Sequence, residues 1–260
     1  MSSPDRGGRR DLAVVGLVWL ALSVLGEVLV QLYAADSLPV VAAREGRVSD
    51  DAIVTLLRIV VPVFAFIAVV IVYAAIRFRV HADDAEDSDA QARDDRRFSW
   101  SWLGVTSALT VLVIFYPGIT GLREIWEARD APNPLVVEVT GSQWQWSFAY
   151  PAQELASSSE LVLPLGRTVR FVLRSPDVIH GFWVPAFRVK QDVVPGETRE
   201  LYLTPDRLIS TSTSPVARVQ CAEFCGIGHA DMRAPVRVVG AAAFESWVKR
   251  QQASAQAAAG

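Results

Sequence analysis

The chain has 260 residues, 51% of them hydrophobic, and a formal net charge of −3 at pH 7. This charge balance lacks the strongly basic character of nucleic-acid-binding domains, and it predicts no nucleic-acid partner. The apolar residues are concentrated in the first 122 positions, which excludes a single soluble domain and predicts a membrane protein.

Three apolar stretches are long enough to cross a bilayer. Residues 53–76 and 100–122 are predicted transmembrane helices, because each approaches the roughly 20 apolar residues that span a bilayer core. Residues 12–35 are predicted to be a first transmembrane helix or a signal anchor. A cleaved signal peptide normally has a shorter apolar centre, of about 7–15 residues, which favours a retained helix here.

The distribution of arginines predicts the orientation in the membrane. The N-terminus, residues 1–11, and the loop 77–99 are rich in arginine, whereas the segment between the first two helices carries only Arg44 and Arg47. Short segments rich in Lys and Arg tend to stay on the cytoplasmic side. Residues 1–11 and 77–99 are therefore predicted to be cytoplasmic, and everything after Leu122 is predicted to lie on the outer face.

The outer region, residues 132–250, has the pattern of an all-β domain. Short runs of β-branched and aromatic residues alternate with turn residues, and no helical pattern intervenes, which indicates a β-sandwich or barrel. The predicted strands are 135–140, 143–150, 161–163, 168–173, 178–184, 198–203, 217–220 and 235–239. Residues 244–250 are predicted to form a short helix, and residues 251–260, an Ala/Gln tail, are predicted to be disordered.

Soft metal ligands are concentrated in one short window, from Cys221 to Met232. It contains both cysteines of the chain, its only internal methionine and one of its three histidines. A second histidine, His180, lies upstream. Thiolate, imidazole and thioether groups together select copper among the first-row metals, and two thiolates this close can be shared between two ions.

Other interpretations of this window are less consistent with its composition. A disulfide between Cys221 and Cys225 fits an oxidising compartment, but it leaves His229, Met232 and His180 without a role. Structural zinc sites use Cys and His at other spacings and do not use a thioether. A mononuclear blue-copper site uses one Cys, so the second thiol favours two coppers.

Three stretches resemble subunit II of the haem–copper cytochrome c oxidases: 139–148, 177–196 and the window 221–232. The resemblance extends over about residues 53–247. It implies a membrane α-helical hairpin, of two or three transmembrane helices, and an extracytoplasmic cupredoxin-like Greek-key β-sandwich or barrel. It also implies a dinuclear copper centre, CuA, in that outer domain.

The resemblance assigns roles to individual residues. The implied copper ligands are His180, Cys221, Glu223 through its backbone carbonyl, Cys225, His229 and Met232. The two cysteines would bridge both ions, and each histidine would cap one of them. The Glu223 carboxylate would also hold a magnesium ion shared with subunit I. Trp144 would be the residue through which electrons enter, whereas Trp146 is interpreted as a core residue. Asp177 is interpreted as a residue that orients the site, as one near the subunit I interface, or as an exposed turn acid.

The function implied is electron transfer within a respiratory terminal oxidase. The chain would accept electrons from cytochrome c and pass them to haem in subunit I, where oxygen is reduced to water and protons are pumped. Its expected partners are cytochrome c, subunits I and III and membrane lipid, and the haems would belong to the partner subunit. The expected location is the plasma membrane of a bacterium, with the C-terminal domain on the periplasmic side.

Two alternatives remain open from the sequence. The first is the CuA-bearing subunit of a nitric oxide reductase, whose catalytic subunit would differ while this chain looked much the same. The second is a membrane-anchored copper-delivery protein. Proteins of that kind tend to bind copper through open Met-rich or Cys-rich motifs and would not need the region around Trp144.

Overall fold

The computed structural model describes residues 6–77, 79 and 96–259. The chain forms two compact units. They are composed of Met1–Leu38 with Ala52–Ile119, and of Pro39–Asp51 with Thr120–Gly260. The predicted cytoplasmic loop 77–99 falls largely outside the described residues, as do residues 1–5 of the predicted N-terminal segment.

Three stretches of helix are long and apolar enough to cross a membrane. The helices of the chain are α1 (Arg6–Ser37), α2 (Arg44–Arg77), α3 (Arg96–Val113), α4 (Thr120–Glu127) and α5 (Ala241–Ala259). The candidate spans are Arg10–Ala34, Arg44–Arg77 and Arg96–Asp130. Their large apolar side chains, such as Phe64 and Leu17, are mostly exposed in the isolated chain, as expected of surfaces that face lipid or another subunit.

Helices α1 and α2 pack closely in the first unit. Gly26 lies against Val61, where a Cβ at residue 26 would come within 2.4 Å of Val61 Cγ1. Trp19 Nε1 donates a hydrogen bond to the Pro62 carbonyl at 2.8 Å, and its ring meets Phe66 edge-on at 5.9 Å. A small residue at the crossing and one interhelical hydrogen bond are typical of specific packing between membrane helices.

The third span is interrupted near its middle. The sequence predicts one helix over residues 100–122, whereas the structure has a distorted segment, Ile114–Ile119, between α3 and α4. Pro117 lies inside this segment, and the preceding residue Tyr116 has a non-helical backbone. Proline lacks the amide hydrogen and its ring clashes with the carbonyl four residues earlier, which accounts for the interruption.

The second unit contains a β-sandwich of eleven described strands. These are β1 (Leu135–Ser142), β2 (Gln145–Tyr150), β3 (Leu155–Ser158), β4 (Leu161–Pro164), β5 (Val169–Arg174), β6 (His180–Val184), β7 (Val189–Val193), β8 (Arg199–Leu203), β9 (Ile209–Ser210), β10 (Arg218–Cys221) and β11 (Arg233–Val239). One sheet has the order β3-β2-β1-β5-β8, and the other has the order β4-β11-β10-β6-β7 with β9 paired to β11. The pairs β1–β5 and β4–β11 are parallel, and the remaining pairs are antiparallel.

The core lies between the two sheets. In β1 the side chains of Leu135, Val137 and Val139 are buried and alternate with partly exposed residues, which is the pattern of a strand with one face on the core. The predicted fold class, apolar N-terminal helices followed by a cupredoxin-like β domain, is confirmed. Strands β3, β7 and β9 were not predicted, since they are short and rich in polar residues.

A segment that combines the end of the α1–α2 connection with the first turns of α2 belongs to the β-sandwich unit. We call residues Pro39–Asp51 the strap. Ala42 and Ala43 are fully buried, and Ala43 forms a β-bridge with Pro205. The buried Glu45 carboxylate accepts a hydrogen bond from the Thr204 amide at 2.9 Å. No strand or contact was predicted for this segment, because the partners of Ala43 and Glu45 lie about 160 residues away in sequence.

The C-terminal tail is helical rather than disordered. Helix α5 continues to Ala259, so the prediction for residues 251–260 requires correction. Alanine and glutamine are strong helix formers, and the helix is already nucleated by packing at its N-terminal end. There Phe244, Trp247 and Val248 are buried, and the Trp247 ring contacts Tyr150 at 5.2 Å.

Candidate metal centre

The ligand window is a loop between two neighbouring strands of one sheet, as the sequence indicates. Strand β10 ends at Cys221 and β11 begins at Arg233. The Cys221 amide donates to the Met232 carbonyl at 3.1 Å, which closes the base of the loop. The loop is therefore anchored at both ends to paired strands, and its side chains are held over the end of the sandwich.

The loop and strand β6 bring the predicted ligands together. The two cysteine sulfurs are 3.7 Å apart. Cys221 Sγ lies 3.9 Å from His180 Nδ1, and Cys225 Sγ lies 3.6 Å from His229 Nδ1. Cys225 Sγ is also 3.8 Å from the Met232 sulfur. The other three predicted side-chain ligands, His180, His229 and Met232, thus lie next to the sulfur pair.

These distances suit donors that share metal ions. In tetrahedral geometry, sulfur at about 2.3 Å and nitrogen at about 2.0–2.1 Å from one first-row ion lie about 3.5–3.6 Å apart, and two such sulfurs lie about 3.8 Å apart. Both cysteines are free thiols, and His180, Cys221 and Cys225 form a buried cluster able to hold a metal ion. Met232 is fully buried beside them. The residues therefore fit a copper site.

The Cys225 thiol holds its proton firmly in the metal-free chain. Burial, together with the hydrogen bond and the charge interaction with Cys221, raises the pKa of the Cys225 thiol to about 11. Metals bind the thiolate form, so a metal ion must displace this proton when it binds.

Glu223 presents two different groups to its surroundings. Its backbone carbonyl oxygen is 3.1 Å from Cys221 Sγ, on the inside of the loop. Its carboxylate points outward, where it is partly exposed and lies 3.7 Å from Lys190 Nζ. One residue therefore offers a carbonyl to the sulfur pair and a carboxylate to the surface.

Asp177 is hydrogen-bonded to His180. The fully buried His180 ring approaches Asp177 Oδ1 through Nε2 at 2.8 Å. A carboxylate only accepts hydrogen bonds, so Nε2 carries the proton and Nδ1 is left free to face the thiols. Desolvation acts to raise the pKa of Asp177, but hydrogen bonds from the Gln143 amide and the His180 ring outweigh it and lower the pKa to about 2.

Trp144 covers the loop from the β1–β2 turn. Its indole is 39% exposed, and Nε1 donates to the Cys225 carbonyl at 3.1 Å. The Gln143 side chain donates to the same oxygen at 2.8 Å. A half-exposed aromatic ring is thus hydrogen-bonded directly to the backbone of a predicted ligand.

The two glycines of the loop have different functions. Gly226 has φ +117°, a conformation that side chains rarely adopt, and this allows the chain to turn after Cys225. Gly228 has an ordinary backbone, but it lies against the Trp144 ring.

Trp146 is a core residue, as interpreted from the sequence, and it also supports the site. It is buried, with its ring 6.0 Å from the His180 ring in an edge-on arrangement. Its Nε1 approaches the Met232 carbonyl at 3.4 Å. The sequence reasoning assigned no part in the site to Gln143, and nothing in its local pattern distinguishes it from an ordinary turn residue.

The surface of the loop is apolar where it faces outward. Phe224 and Ile227 are 82% and 93% exposed, on the loop whose residues Gly226 and Gly228 lie against Trp144. Exposed side chains of this size on one loop are typical of a surface that another protein covers.

Comparisons with known proteins agree with this arrangement. A family profile described as cytochrome C oxidase subunit II, periplasmic domain, matches residues 151–239. The alternative cytochrome c oxidase subunit 2 of Bradyrhizobium diazoefficiens is 29% identical, and the alignment covers 90% of each chain. Cytochrome c oxidase subunit 2 of Thermostichus vulcanus is 38% identical, over 58% of this chain and 44% of that protein, so the chain spans less than half of this relative's length.

A solved structure is also similar in sequence. The crystal structure of the periplasmic domain of subunit II of cytochrome oxidase from Bradyrhizobium japonicum is 31% identical. The match covers 47% of this chain and 97% of that one, with a TM-score of 0.41.

The apolar helices, the β-sandwich and the cluster of soft ligands define a membrane-anchored, cupredoxin-like protein with an outer metal-binding domain. The chain belongs to the cytochrome c oxidase subunit II family. It is thus the subunit of a haem–copper oxidase that contributes this domain to the complex.

Proposed function

We propose that this chain accepts electrons from cytochrome c at a dinuclear CuA centre and passes them to haem in subunit I. The observation that carries the proposal is the convergence of two buried, free thiols with two imidazole nitrogens and a thioether. A purely structural loop would not need to place two imidazole nitrogens and a thioether beside a buried pair of thiols.

The proposed ligands are Cys221, Cys225, His180, His229, Met232 and the carbonyl of Glu223. With both copper ions bound between bridging thiolates, the centre would supply a one-electron relay. The protein contributes rigidity, because β6, β10 and β11 are paired strands of one sheet and hold the ligands at both ends of the loop. Ligands held this firmly move little when charge arrives or leaves, which favours fast transfer.

Trp144 is the proposed point of electron entry. Its ring is accessible to a docked partner, and its hydrogen bond to the Cys225 carbonyl leads directly to a bridging sulfur. The exposed apolar residues Phe224 and Ile227 lie on the ligand loop, which also carries Cys225. They support a docking surface for a protein partner.

A magnesium ion shared with subunit I is proposed at the Glu223 carboxylate. Carboxylate oxygens are preferred ligands of magnesium, and such sites usually use only one or two of them with other ligands from elsewhere. The outward direction of this carboxylate, away from the sulfur pair, supports a role at a subunit boundary.

The proposed setting is the plasma membrane of a bacterium, with the β-sandwich on the periplasmic side. The distribution of arginines supports this orientation. Subunits I and III and membrane lipid are the proposed partners of the exposed apolar helices. Oxygen reduction and proton pumping would take place in the partner subunit, since this chain is proposed to hold no haem.

Gas-consumption assays on the purified complex test this function. With reduced cytochrome c as donor, we expect oxygen consumption that depends on this subunit. Nitric oxide turnover without oxygen turnover would instead identify the complex as a nitric oxide reductase. A Trp144→Phe variant should slow electron input from cytochrome c while copper stays bound, and an unchanged rate would contradict the role given to Trp144.

A further inference from the structure

Asp177 connects two parts of the site that are distant in sequence. Its Oδ1 accepts hydrogen bonds from His180 Nε2 at 2.8 Å and from the Val178 amide at 2.6 Å. Its Oδ2 accepts a hydrogen bond from the Gln143 amide at 2.7 Å. One carboxylate oxygen therefore faces a proposed copper ligand, and the other faces the turn that carries Trp144.

The connection continues from Gln143 into the ligand loop. The amide of Gln143 is held by Asp177, while its side-chain Nε2 and the neighbouring Trp144 Nε1 both donate to the carbonyl oxygen of Cys225. Three chain segments, the β1–β2 turn, the β5–β6 turn and the ligand loop, are thus joined by one series of hydrogen bonds.

We propose that Asp177 is a positioning residue that sets both the orientation of His180 and the placement of Trp144, with Gln143 transmitting the second effect to the ligand loop. The proposal rests on the proposed function and adds to it that metal coordination and electron entry depend on the same carboxylate.

The physical reason lies in the burial of His180. Its ring is fully buried, so without an acceptor the Nε2 proton would be left without a hydrogen bond in an apolar site. The alternative tautomer would place the proton on Nδ1, the nitrogen that faces Cys221 Sγ. Outer-shell partners of ligand histidines typically change metal affinity or activity by about 10–100-fold when they are removed.

A simpler role for Asp177 is to stabilise its own turn. Ser175 Oγ lies 3.1 Å from Asp177 Oδ1 and also donates to the Val178 carbonyl, as in a local turn motif. If this were the whole role, Asp177 and Ser175 substitutions would lower thermal stability and leave the copper spectrum and electron input unchanged. The positioning role predicts changes in both of those properties.

The test uses the full chain in its purified complex, with Asp177→Asn as the main variant. Asparagine has the same shape but only one acceptor oxygen, so either His180 or the Gln143 amide loses its partner. Ser175→Ala is the control for the turn. Glu245→Gln is the control for charge, because the exposed Glu245 carboxylate lies on α5, outside the ligand loop, and makes no hydrogen bond or ion pair among the described residues.

For Asp177→Asn we expect copper affinity to fall by about tenfold or more. We also expect an altered copper EPR spectrum and slower reduction of the centre by cytochrome c. Both controls should keep the spectrum and the rate of the unmodified chain. Gln143→Leu, which leaves the carboxylate in place, should slow reduction by cytochrome c and preserve the EPR spectrum.

Two results would overturn the proposal. One is an Asp177→Asn protein with unchanged affinity, spectrum and reduction rate. The other, which applies even if Asp177→Asn does not accumulate, is a Gln143→Leu protein reduced at the unmodified rate. Failure of the proposed function would be seen separately, as the absence of a dinuclear copper signal in the unmodified chain.

Discussion

Gly228 lies directly against the indole ring of Trp144. A Cβ at residue 228 would come within 2.5 Å of Trp144 Cδ2, which is closer than non-bonded carbon atoms can approach. The ring and the loop therefore fit together only because residue 228 has no side chain.

We expect a Gly228→Ala substitution to displace the Trp144 ring and to slow reduction of the centre by cytochrome c. The copper ligands remain in place, so the copper content should stay the same. Stopped-flow reduction and metal analysis measure the two effects. Gly240→Ala is the matched control, because a Cβ there meets no atom within 4 Å. An unchanged reduction rate in Gly228→Ala would show that contact between ring and loop is not needed.

The strap should contribute strongly to the stability of the β-sandwich unit. Arg188 Nε donates to Asp50 Oδ1 at 2.7 Å, and both side chains are only 14% exposed. Removing one member of a largely buried ion pair costs on the order of 3 kcal/mol, because the other charge is left without a partner. Arg188→Met should therefore lower the free energy of unfolding of the unit by about this amount.

Denaturant unfolding of the full chain in detergent measures this effect. Arg199→Met is the control, since its ion pair with Glu197 is more exposed and should contribute about 1 kcal/mol or less. Equal losses in the two variants would contradict a special role for the strap.

Helix α1 should remain in the mature protein. Helix α1 contacts α2 through Gly26 and Trp19. In addition, Arg58 Nη2 of α2 donates a hydrogen bond to Gln31 Oε1 of α1 at 2.9 Å. A cleaved segment has no need of such specific packing. N-terminal sequencing of the purified subunit should find a start before residue 12, whereas a start after Ala35 would show that the segment is removed.

Copper loading should depend on pH. Because the Cys225 pKa is raised to about 11, the thiol is protonated at neutral pH and copper must displace the proton. Raising the pH therefore favours the metal-bound form. For each proton released on binding, the apparent copper affinity should rise about tenfold per pH unit. Competition with a chelator at several pH values between about pH 6 and 8 measures how the apparent copper affinity changes with pH. A slope of zero would contradict displacement of a thiol proton.

The sequence predicted the ligands of the site well because most of them lie within one loop. Cys221, Cys225, His229 and Met232 need only a short turn to converge, and the strands on either side of it were also predicted. The spacing of soft ligands is a local property, and so it can be read without knowing the rest of the fold.

The supporting contacts could not be predicted in the same way. The hydrogen bonds of Gln143 to Cys225 and of Asp177 to Gln143 join residues 82 and 34 positions apart. The strap likewise pairs with residues near Thr204, 159 positions beyond Glu45. Such contacts depend on how the sheets are assembled, and no periodicity or composition in the local sequence encodes them.

The helical tail has a different explanation. The composition of residues 251–259 favours helix, but the segment lacks large apolar residues to bury. The prediction of a disordered tail was based on this lack of core-forming residues. Packing of Phe244 and Trp247 starts the helix, and Gln252 Nε2 then donates to the Gln153 carbonyl at 2.6 Å. Once a helix has begun, alanine-rich sequence extends it at little cost.

The copper content of the full chain tests the central claim most directly. The purified chain, loaded with copper and assayed without reductant, should hold two copper ions and show a mixed-valence EPR signal from one electron shared by two nuclei. Both should be lost in Cys225→Ser. A chain that binds no copper under these conditions and has Cys221 and Cys225 joined in a disulfide would contradict the account.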